Sequence, residues 1–252
     1  MRLDEFFIKY PRVAIAFSGG SDSAFLAYFA LKHAKEVKAY YVKTAFQPEF
    51  EYMDSLRFAR EYSLDLKVIE CDVLKEEAVV CNPKNRCYFC KRVIFSHIVE
   101  SAKEDGFDVL LDGSNASDDA SDRPGMKALE ELKVLSPLRI CGLTKKDIRL
   151  ASKEAGLFTW NKPSYACLAT RVPSGVRITE DILKITEHAE EYLASLGFSD
   201  FRVRYRDGNA LIQLTGEQFF LYEEKKEIII KELTQYYKEV ILDDVPREKT
   251  CL

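Results

Sequence analysis

An apolar run, a glycine loop and a second apolar run follow one another near the start of this 252-residue chain and constrain its fold more than any other feature. Residues 13–17, "VAIAF", are continuously apolar, as in a strand that is buried on both faces. "SGGSDS" follows at once, and "AFLAYFALKHA" then has the apolar spacing of a helix buried on most sides. This order predicts a parallel α/β sheet whose ligands bind at the carboxyl ends of its strands.

The alternation of strands and helices continues through the next hundred residues and predicts a doubly wound parallel sheet. We predict strands at 37–43, 64–71 and 108–114, and helices at 49–62, at 88–104 and from the capping box "TKKD" to Gly156. Residues 157–178 have few periodic apolar positions, and we interpret them as an ordered loop.

A smaller α+β domain is predicted beyond this loop. Its elements are a helix at 179–196, a hairpin "FRVRYRDGNALIQL" that turns at Asp207 and Gly208, a helix at 217–235 and a strand at 238–245. The expected domains are therefore residues 1–172 and 173–252.

The composition is that of a soluble globular enzyme. The net charge of −4 argues against a protein that coats nucleic acid, because such proteins need excess Lys and Arg. No apolar run reaches the roughly 18 to 20 residues of a membrane span, and the amino terminus lacks a signal-peptide pattern. We expect a cytoplasmic protein in which the seven cysteines do not form structural disulfides, with Cys71 and Cys141 packed in the core.

The loop after the first strand has the features of a phosphate site. Its glycines, Gly19 and Gly20, let backbone amides approach a phosphate, and the helix that follows aims its positive end at the same point. Hydroxyl donors can come from Ser18, Ser21 and Ser23. The carboxylate of Asp22 would repel a phosphate unless a cation such as Mg²⁺ lay between them, so the loop indicates a Mg-nucleotide.

The loop matches neither the Walker pattern nor the dinucleotide pattern. It resembles the S-G-G-x-D-S loop of the PP-loop ATP pyrophosphatases, a fold of the adenine nucleotide alpha hydrolase type. This resemblance implies an enzyme that cleaves ATP between its α- and β-phosphates, adenylylates a substrate oxygen and leaves pyrophosphate in the loop.

The segment "RCYFCK" places Cys87 and Cys90 where a loop enters a helix, so both thiols could bind one ion. The candidates for a third ligand are Cys81, His97 and Cys167. We expect His97 to be a packed helix residue and Asn82-Pro83 to turn Cys81 away, whereas Cys167 lies in the irregular loop where catalytic groups are common. Spacing alone leaves a Cys₃ or Cys₃His zinc site open.

Six segments in the same order resemble the LarE sulfur transferases: "FSGGSDS", "NRCYFCK", "LDGSNASDD", "DRPG", "WNKPSYACLATR" and "FRVRYR". The resemblance implies that the enzyme adenylylates a carboxylate of pyridinium-3,5-biscarboxylic acid mononucleotide, with ATP and Mg²⁺, and replaces the activated oxygen with sulfur. This is a step in the biosynthesis of the nickel-pincer nucleotide.

Members of this family obtain sulfur in two ways. One kind sacrifices its own cysteine, and in the other three cysteines hold a [4Fe-4S] cluster whose fourth iron can carry an extra sulfide. Since a sacrificial thiol has no need of a Cys-x-x-Cys partner, we expect Cys87, Cys90 and Cys167 to hold a cluster, with sacrificial or persulfide use of Cys167 as the alternative.

The resemblance and the residue chemistry suggest further site residues. Lys91 is expected to neutralise charge on the ATP phosphates or on the reaction intermediate, and Gly113 to contribute to the ATP and pyrophosphate site. Candidate ligands of the substrate phosphate are Arg171, Arg202 and Arg204, with Arg206 read as a solvated residue near the turn. Asp118 and Asp119 are candidate Mg²⁺ ligands, and Gln213 stands where some relatives have an acid.

The first rival function is a tRNA-thiolating PP-loop enzyme, which should show a basic face or an RNA-binding appendage. A non-catalytic zinc-stabilised ATP-binding module and an ammonia-using amide synthetase are further alternatives. The expected partners are a small nucleotide substrate, a sulfide source and further copies of the chain in a homo-oligomer, with no membrane and no nucleic acid.

Overall fold

The computed structural model describes residues 1–118 and 123–248, which form two compact units. Unit 1 contains Met1–Val73 and Asn85–Lys162. Unit 2 contains Leu74–Lys84 and the chain from Pro163 onward. The domain boundary between residues 172 and 173 stays a prediction, while compact packing groups residues 163–172 with unit 2.

The strands of the described residues form one sheet in each unit. In chain order they are β1 (Arg12–Ala16), β2 (Glu36–Lys43), β3 (Leu66–Glu70), β4 (Leu110–Leu111), β5 (Arg202–Arg206), β6 (Asn209–Gln213) and β7 (Val240–Leu242). In unit 1 the order is β3-β2-β1-β4 and every pairing is parallel, which confirms the predicted α/β class. β1 is central because "VAIA" has no polar side chain to expose on either face.

Ten helices of the described residues connect or cover these strands. They are α1 (Leu3–Lys9), α2 (Ser21–His33), α3 (Glu49–Glu61), α4 (Glu77–Val80), α5 (Arg86–Glu104), α6 (Arg123–Glu131), α7 (Pro137–Ile140), α8 (Lys145–Glu154), α9 (Glu180–Ser195) and α10 (Phe219–Leu233). The predicted helices at 49–62, 88–104, 179–196 and 217–235 agree with α3, α5, α9 and α10 to within two residues at each end. None of the helices in the described ranges is both long enough and apolar enough to cross a membrane.

The sequence interpretation missed α1. This helix buries Leu3, Phe6 and Phe7 in the core of unit 1. Their spacing of three and four residues is the helical signal that could have predicted it.

The fourth predicted strand, 108–114, is much shorter in the structure. Only Leu110 and Leu111 pair with β1, although Asp112 still donates its backbone N–H to the carbonyl of Leu135. The chain then leaves the sheet, and its next polar residues face the glycine loop.

Unit 2 is built on the predicted hairpin. β5 and β6 are antiparallel, β6 and β7 are parallel, and Asp207 and Gly208 both have positive φ, as a tight two-residue turn requires. α9 and α10 cover this sheet with an apolar core that includes Val203, Ile212 and Leu233.

The short segment 74–84 belongs to unit 2 through backbone contacts. The buried Asn82 side chain donates to the carbonyls of Val172 and Pro173, and the backbone carbonyl of Asn82 accepts from the backbone N–H of Gly175. Arg177 adds an exposed ion pair with Glu77. The predicted loop at 157–178 is thus ordered, and it contains a 3₁₀ turn at Leu168–Arg171.

Candidate functional site

The glycine loop connects β1 to the first turn of α2, and its shape depends on Gly19. This residue has φ +71°, and a Cβ built on it would lie 2.3 Å from the hydroxyl oxygen of Ser55. Ser55 is buried and donates to the carbonyl of Glu51 in α3, so it cannot easily move away. A side chain at position 19 would therefore displace the loop.

Gly113, two residues after β4, packs against the same turn. A Cβ on Gly113 would lie 2.9 Å from the backbone nitrogen of Ser23. Contacts this short are not found for real Cβ atoms, so the close approach of the two backbones requires glycine. Gly113 thus lies against the loop that we expect to hold pyrophosphate.

The loop serines mainly organise the loop itself. The hydroxyl of Ser23 donates to the carbonyl of Gly20 and lies 3.1 Å from the hydroxyl of Ser18. The backbone N–H groups of Ser18 and Gly20 donate to these hydroxyls, at 3.3 and 3.4 Å. These bonds preorganise the amides at the positive end of α2, where an anion would bind.

Asp22 is held by a lysine that the sequence interpretation did not identify as a site residue. The ammonium of Lys145 lies 2.9 and 2.8 Å from the two carboxylate oxygens of Asp22 and 2.8 Å from the hydroxyl of Ser21. Lys145 is the first residue of α8, which begins with a capping box between Thr144 and Asp147.

The turn after β4 is fixed by Asn115. Its buried amide donates to Asp22 at 3.2 Å and to Asp118 at 3.1 Å. Asp118 also accepts the backbone N–H of Asn115 at 2.7 Å, so it closes this turn while its side chain stays exposed. Its role as a Mg²⁺ ligand stays a prediction, and Asp119 lies outside the described residues.

Asp112 is a buried carboxyl beside Lys91. Hydroxyls of Ser114 and Ser136 donate to its two oxygens. Burial raises the pKa of Asp112, and the donated hydrogen bonds and the positive charge of Lys91 only partly offset this rise. Lys91 is partly exposed on the first turns of α5. Its contact with phosphate stays a prediction.

Lys162 flanks the glycine loop on its other side. Its ammonium donates to the carbonyl of Gly19 at 3.3 Å and pairs with Asp54 at 2.7 Å. Only 12% of its side chain is exposed, which favours a role in holding the loop. The sequence contained a sign of it, because Lys162 lies in the family-like segment "WNKPSYACLATR".

The two cysteines of "RCYFCK" lie in the first turns of α5. Cys87 is exposed, Cys90 is partly exposed, and their spacing of three residues places them on the same side of the helix. His97, expected to be packed, is exposed on the same helix. Within the described residues of each unit taken alone, no three side chains form a group that could hold a metal ion.

Cys167 precedes the 3₁₀ turn of unit 2, and a buried ion pair holds that turn. The guanidinium of Arg171 donates to both oxygens of Glu190, at 2.7 and 3.0 Å, and to the carbonyl of Ala166 at 2.8 Å. Glu190 also accepts the hydroxyl of Tyr165 at 2.5 Å. Arg171 is only 1% exposed, so binding a phosphate through it would require breaking this pair. The role of Arg171 as a ligand of the substrate phosphate therefore stays a prediction, and its ion pair with Glu190 does not favour it.

The arginines of β5 have a different environment. Arg202 donates to the carbonyls of Phe201 and Ser164, and Arg204 donates to the carbonyl of Thr170 and to the side chain of Gln213. In the described part of the chain neither is within ion-pair distance of a carboxylate. Burial, followed by the charges of Arg171 and Arg247, lowers the pKa of Arg202 to about 10. Burial and neighbouring guanidiniums also lower the pKa of Arg204.

Arg206 and Gln213 complete this cluster. Arg206 donates to the carbonyl of Arg171 at 3.4 Å, so it contacts the turn that follows Cys167. Gln213, which stands where some relatives have an acid, accepts from Arg204 and donates to Asp243 at 2.6 Å. The neutral amide itself adds no negative charge to the arginine cluster at this position.

Comparison with known proteins finds relatives along most of the chain, although no protein-family model matches it. An uncharacterized protein of Methanocaldococcus jannaschii is 32% identical over 235 residues, which is 93% of this chain and 90% of the relative. A pyridinium-3,5-bisthiocarboxylic acid mononucleotide synthase of Lactiplantibacillus plantarum is 31% identical over 205 residues, 81% of this chain and 74% of the relative.

More distant similarity extends to a second kind of enzyme. A tRNA-specific 2-thiouridylase MnmA of Thermotoga sp. strain RQ2 is 25% identical over 303 aligned positions, covering 96% of this chain and 84% of the relative. Such a relative is consistent with the parallel sheet and glycine loop of unit 1.

Proposed function

Because the chain belongs to the LarE family of PP-loop sulfur transferases, we propose that it converts pyridinium-3,5-biscarboxylic acid mononucleotide to the thiocarboxylate. ATP and Mg²⁺ would activate a substrate carboxylate, and sulfur would then replace one of its oxygens. The observation that carries this proposal is the preorganised loop at the positive end of α2, made of Gly19, Gly20 and hydrogen-bonded serines.

The first half of the reaction is adenylylation. A carboxylate oxygen of the substrate attacks the α-phosphorus, and the bond between this phosphorus and the bridging oxygen breaks. Pyrophosphate leaves with the bonding electron pair. Its charge is matched by the amides of the loop and the positive end of α2, and Mg²⁺ near Asp22 would carry part of the remainder.

The second half is displacement of AMP by sulfur at the level of hydrosulfide. The new carbon–sulfur bond forms as the bond from the acyl carbon to AMP breaks, and the proton of hydrosulfide goes to solvent. Cys87 and Cys90 lie one helical turn apart at the start of α5, a spacing typical of two thiolates that bind one metal centre, and we assign Cys167 as the third ligand. Bound by them, a [4Fe-4S] cluster would supply activated sulfur to the acyl carbon.

The nucleotide phosphate of the substrate is assigned to Arg202 and Arg204. Supporting this, both guanidiniums are buried and are repelled by the positive charges of Arg171 and Arg247, and a bound anion would relieve that repulsion. Both contact residues of the segment around Cys167, namely Ser164 and Thr170. A substrate held by this hairpin would therefore lie near the thiol within unit 2.

The test is an anaerobic reaction of the purified protein with ATP, Mg²⁺, sulfide and the dicarboxylate. We expect AMP and pyrophosphate to appear with the carboxylate present, and the product mass to rise by the exchange of oxygen for sulfur. Cys90→Ser should abolish sulfur insertion but not pyrophosphate release, whereas Cys141→Ser should leave both intact. Absence of carboxylate-dependent pyrophosphate release would overturn the proposal.

The same experiment separates the alternatives. Loss of the mass of one H₂S from the protein after turnover would identify a sacrificial cysteine, and bound zinc in place of iron would exclude the cluster. Thiolation of tRNA would favour the MnmA-like reaction, for which the net charge of −4 offers no support.

A further inference from the structure

We propose that Lys145 is a pyrophosphate-binding residue of the adenylylation step, which rests on the proposed use of ATP by the glycine loop. Its ammonium lies 2.8 Å from Ser21, the first residue of α2. Phosphate oxygens bound at the amides of this turn lie within reach of the same ammonium, because a lysine side chain can pivot on its flexible stem.

The pair of Lys145 with Asp22 explains how a carboxylate is tolerated in an anion site. The ammonium contacts both oxygens of Asp22, and the side chains are 30% and 21% exposed. The lysine therefore neutralises Asp22 before any metal ion arrives. When Mg²⁺ binds Asp22, the ammonium becomes available to the departing pyrophosphate.

Hydrogen bonds at the start of α8 fix the backbone of Lys145, so its side chain always extends from the same point. The capping box of α8 orders its first turn, and the backbone N–H of Lys145 donates to the hydroxyl of Ser117 at 3.0 Å. Next to it on the same helix, Lys146 is exposed, which makes Lys146 a matched control for loss of one positive charge.

The experiment measures binding of pyrophosphate, ATP and AMP to the full chain by calorimetry with Mg²⁺ present, for wild type, Lys145→Met, Lys145→Arg and Lys146→Met. Loss of one charge-assisted contact should weaken pyrophosphate binding roughly ten- to a hundredfold in Lys145→Met. AMP, which lacks the β- and γ-phosphates, should bind as it does to wild type. Lys145→Arg should keep most of the affinity, and Lys146→Met should match wild type.

The outcomes separate this inference from the proposed function. Equal pyrophosphate affinity of wild type and Lys145→Met would overturn the role of Lys145 alone. Equal losses for pyrophosphate and AMP would also overturn it, because they indicate general damage to the loop. Should Lys145→Met fold poorly, Lys145→Gln gives the same comparison. Wild-type protein that binds neither pyrophosphate nor ATP would overturn the proposed function together with this inference.

Discussion

Replacement of Glu190 by glutamine tests whether one buried ion pair holds the Cys167 turn. Arg171 and Glu190 are 1% and 7% exposed and share two short hydrogen bonds. Glu190→Gln keeps the size of the side chain but leaves the guanidinium of Arg171 buried without a countercharge. The new NH₂ group also faces existing donors, one of which is the hydroxyl of Tyr165.

The expected cost follows from this burial. Removing one partner of a buried ion pair destabilises a protein by about 3–5 kcal/mol. The backbone N–H of Val203 also donates to Glu190, at 2.9 Å, so the loss extends to the start of β5. For a chain of this size the melting temperature should fall by roughly 6–20 °C.

Calorimetry and urea unfolding at neutral pH measure the effect, with Glu191→Gln as the control. Glu191 is exposed on the same helix, and its change should stay within about 0.5 kcal/mol of wild type. The combined change of Arg171→Met and Glu190→Leu should recover much of the stability, because neither member of the buried pair is then left charged without the other. A Glu190→Gln protein as stable as Glu191→Gln would refute the reasoning.

Three further predictions concern the two sites. Gly113→Ala should weaken binding of Mg-ATP roughly tenfold in calorimetry, since its Cβ meets the Ser23 backbone, while Gly216→Ala should have no effect because its nearest neighbour is 3.7 Å away. Burial raises the pKa of Asp112, so its contribution to stability is fully present below pH about 4 and is lost as the pH rises through its folded-state pKa. Asp112→Asn should remove this pH dependence in urea titrations, and an unchanged profile would contradict it. Inorganic phosphate should raise the melting temperature of the wild type and of Arg60→Met, whereas Arg202→Met should show no such rise.

Features that depend on neighbouring residues could be predicted from the sequence. The apolar run at 13–17, the glycines after it and the Asp207-Gly208 turn each determine their own backbone, and the structure has β1, the loop and the hairpin at these positions. The strand predicted at 108–114 was too long, because the polar residues after Leu111 contact the loop instead of a strand.

Contacts between distant residues could not be predicted in this way. Lys145 and Asp22 are separated by 123 positions, and within "TKKD" the lysine has only the pattern of a helix start. Glu190 similarly resembles a surface acid of an amphipathic helix, and only its contact with Arg171 explains why it is buried. In both cases the local sequence is typical of a solvated charged residue, and only the fold shows the distant residue that pairs with it.

The basic groups of the two candidate sites differ in what a bound anion must displace. Lys145 and Lys162 are each paired with a carboxylate, so an anion at the loop competes with an existing ion pair unless a cation takes over that carboxylate. Arg202 and Arg204 bond to uncharged oxygens, and repulsion from Arg171 and Arg247 already disfavours their charged state when no anion is bound. Phosphate should therefore bind at the hairpin without Mg²⁺, whereas pyrophosphate at the loop should bind more tightly when Mg²⁺ is added. This difference in Mg²⁺ dependence follows from the residues that pair with each basic side chain and not from the number of positive charges.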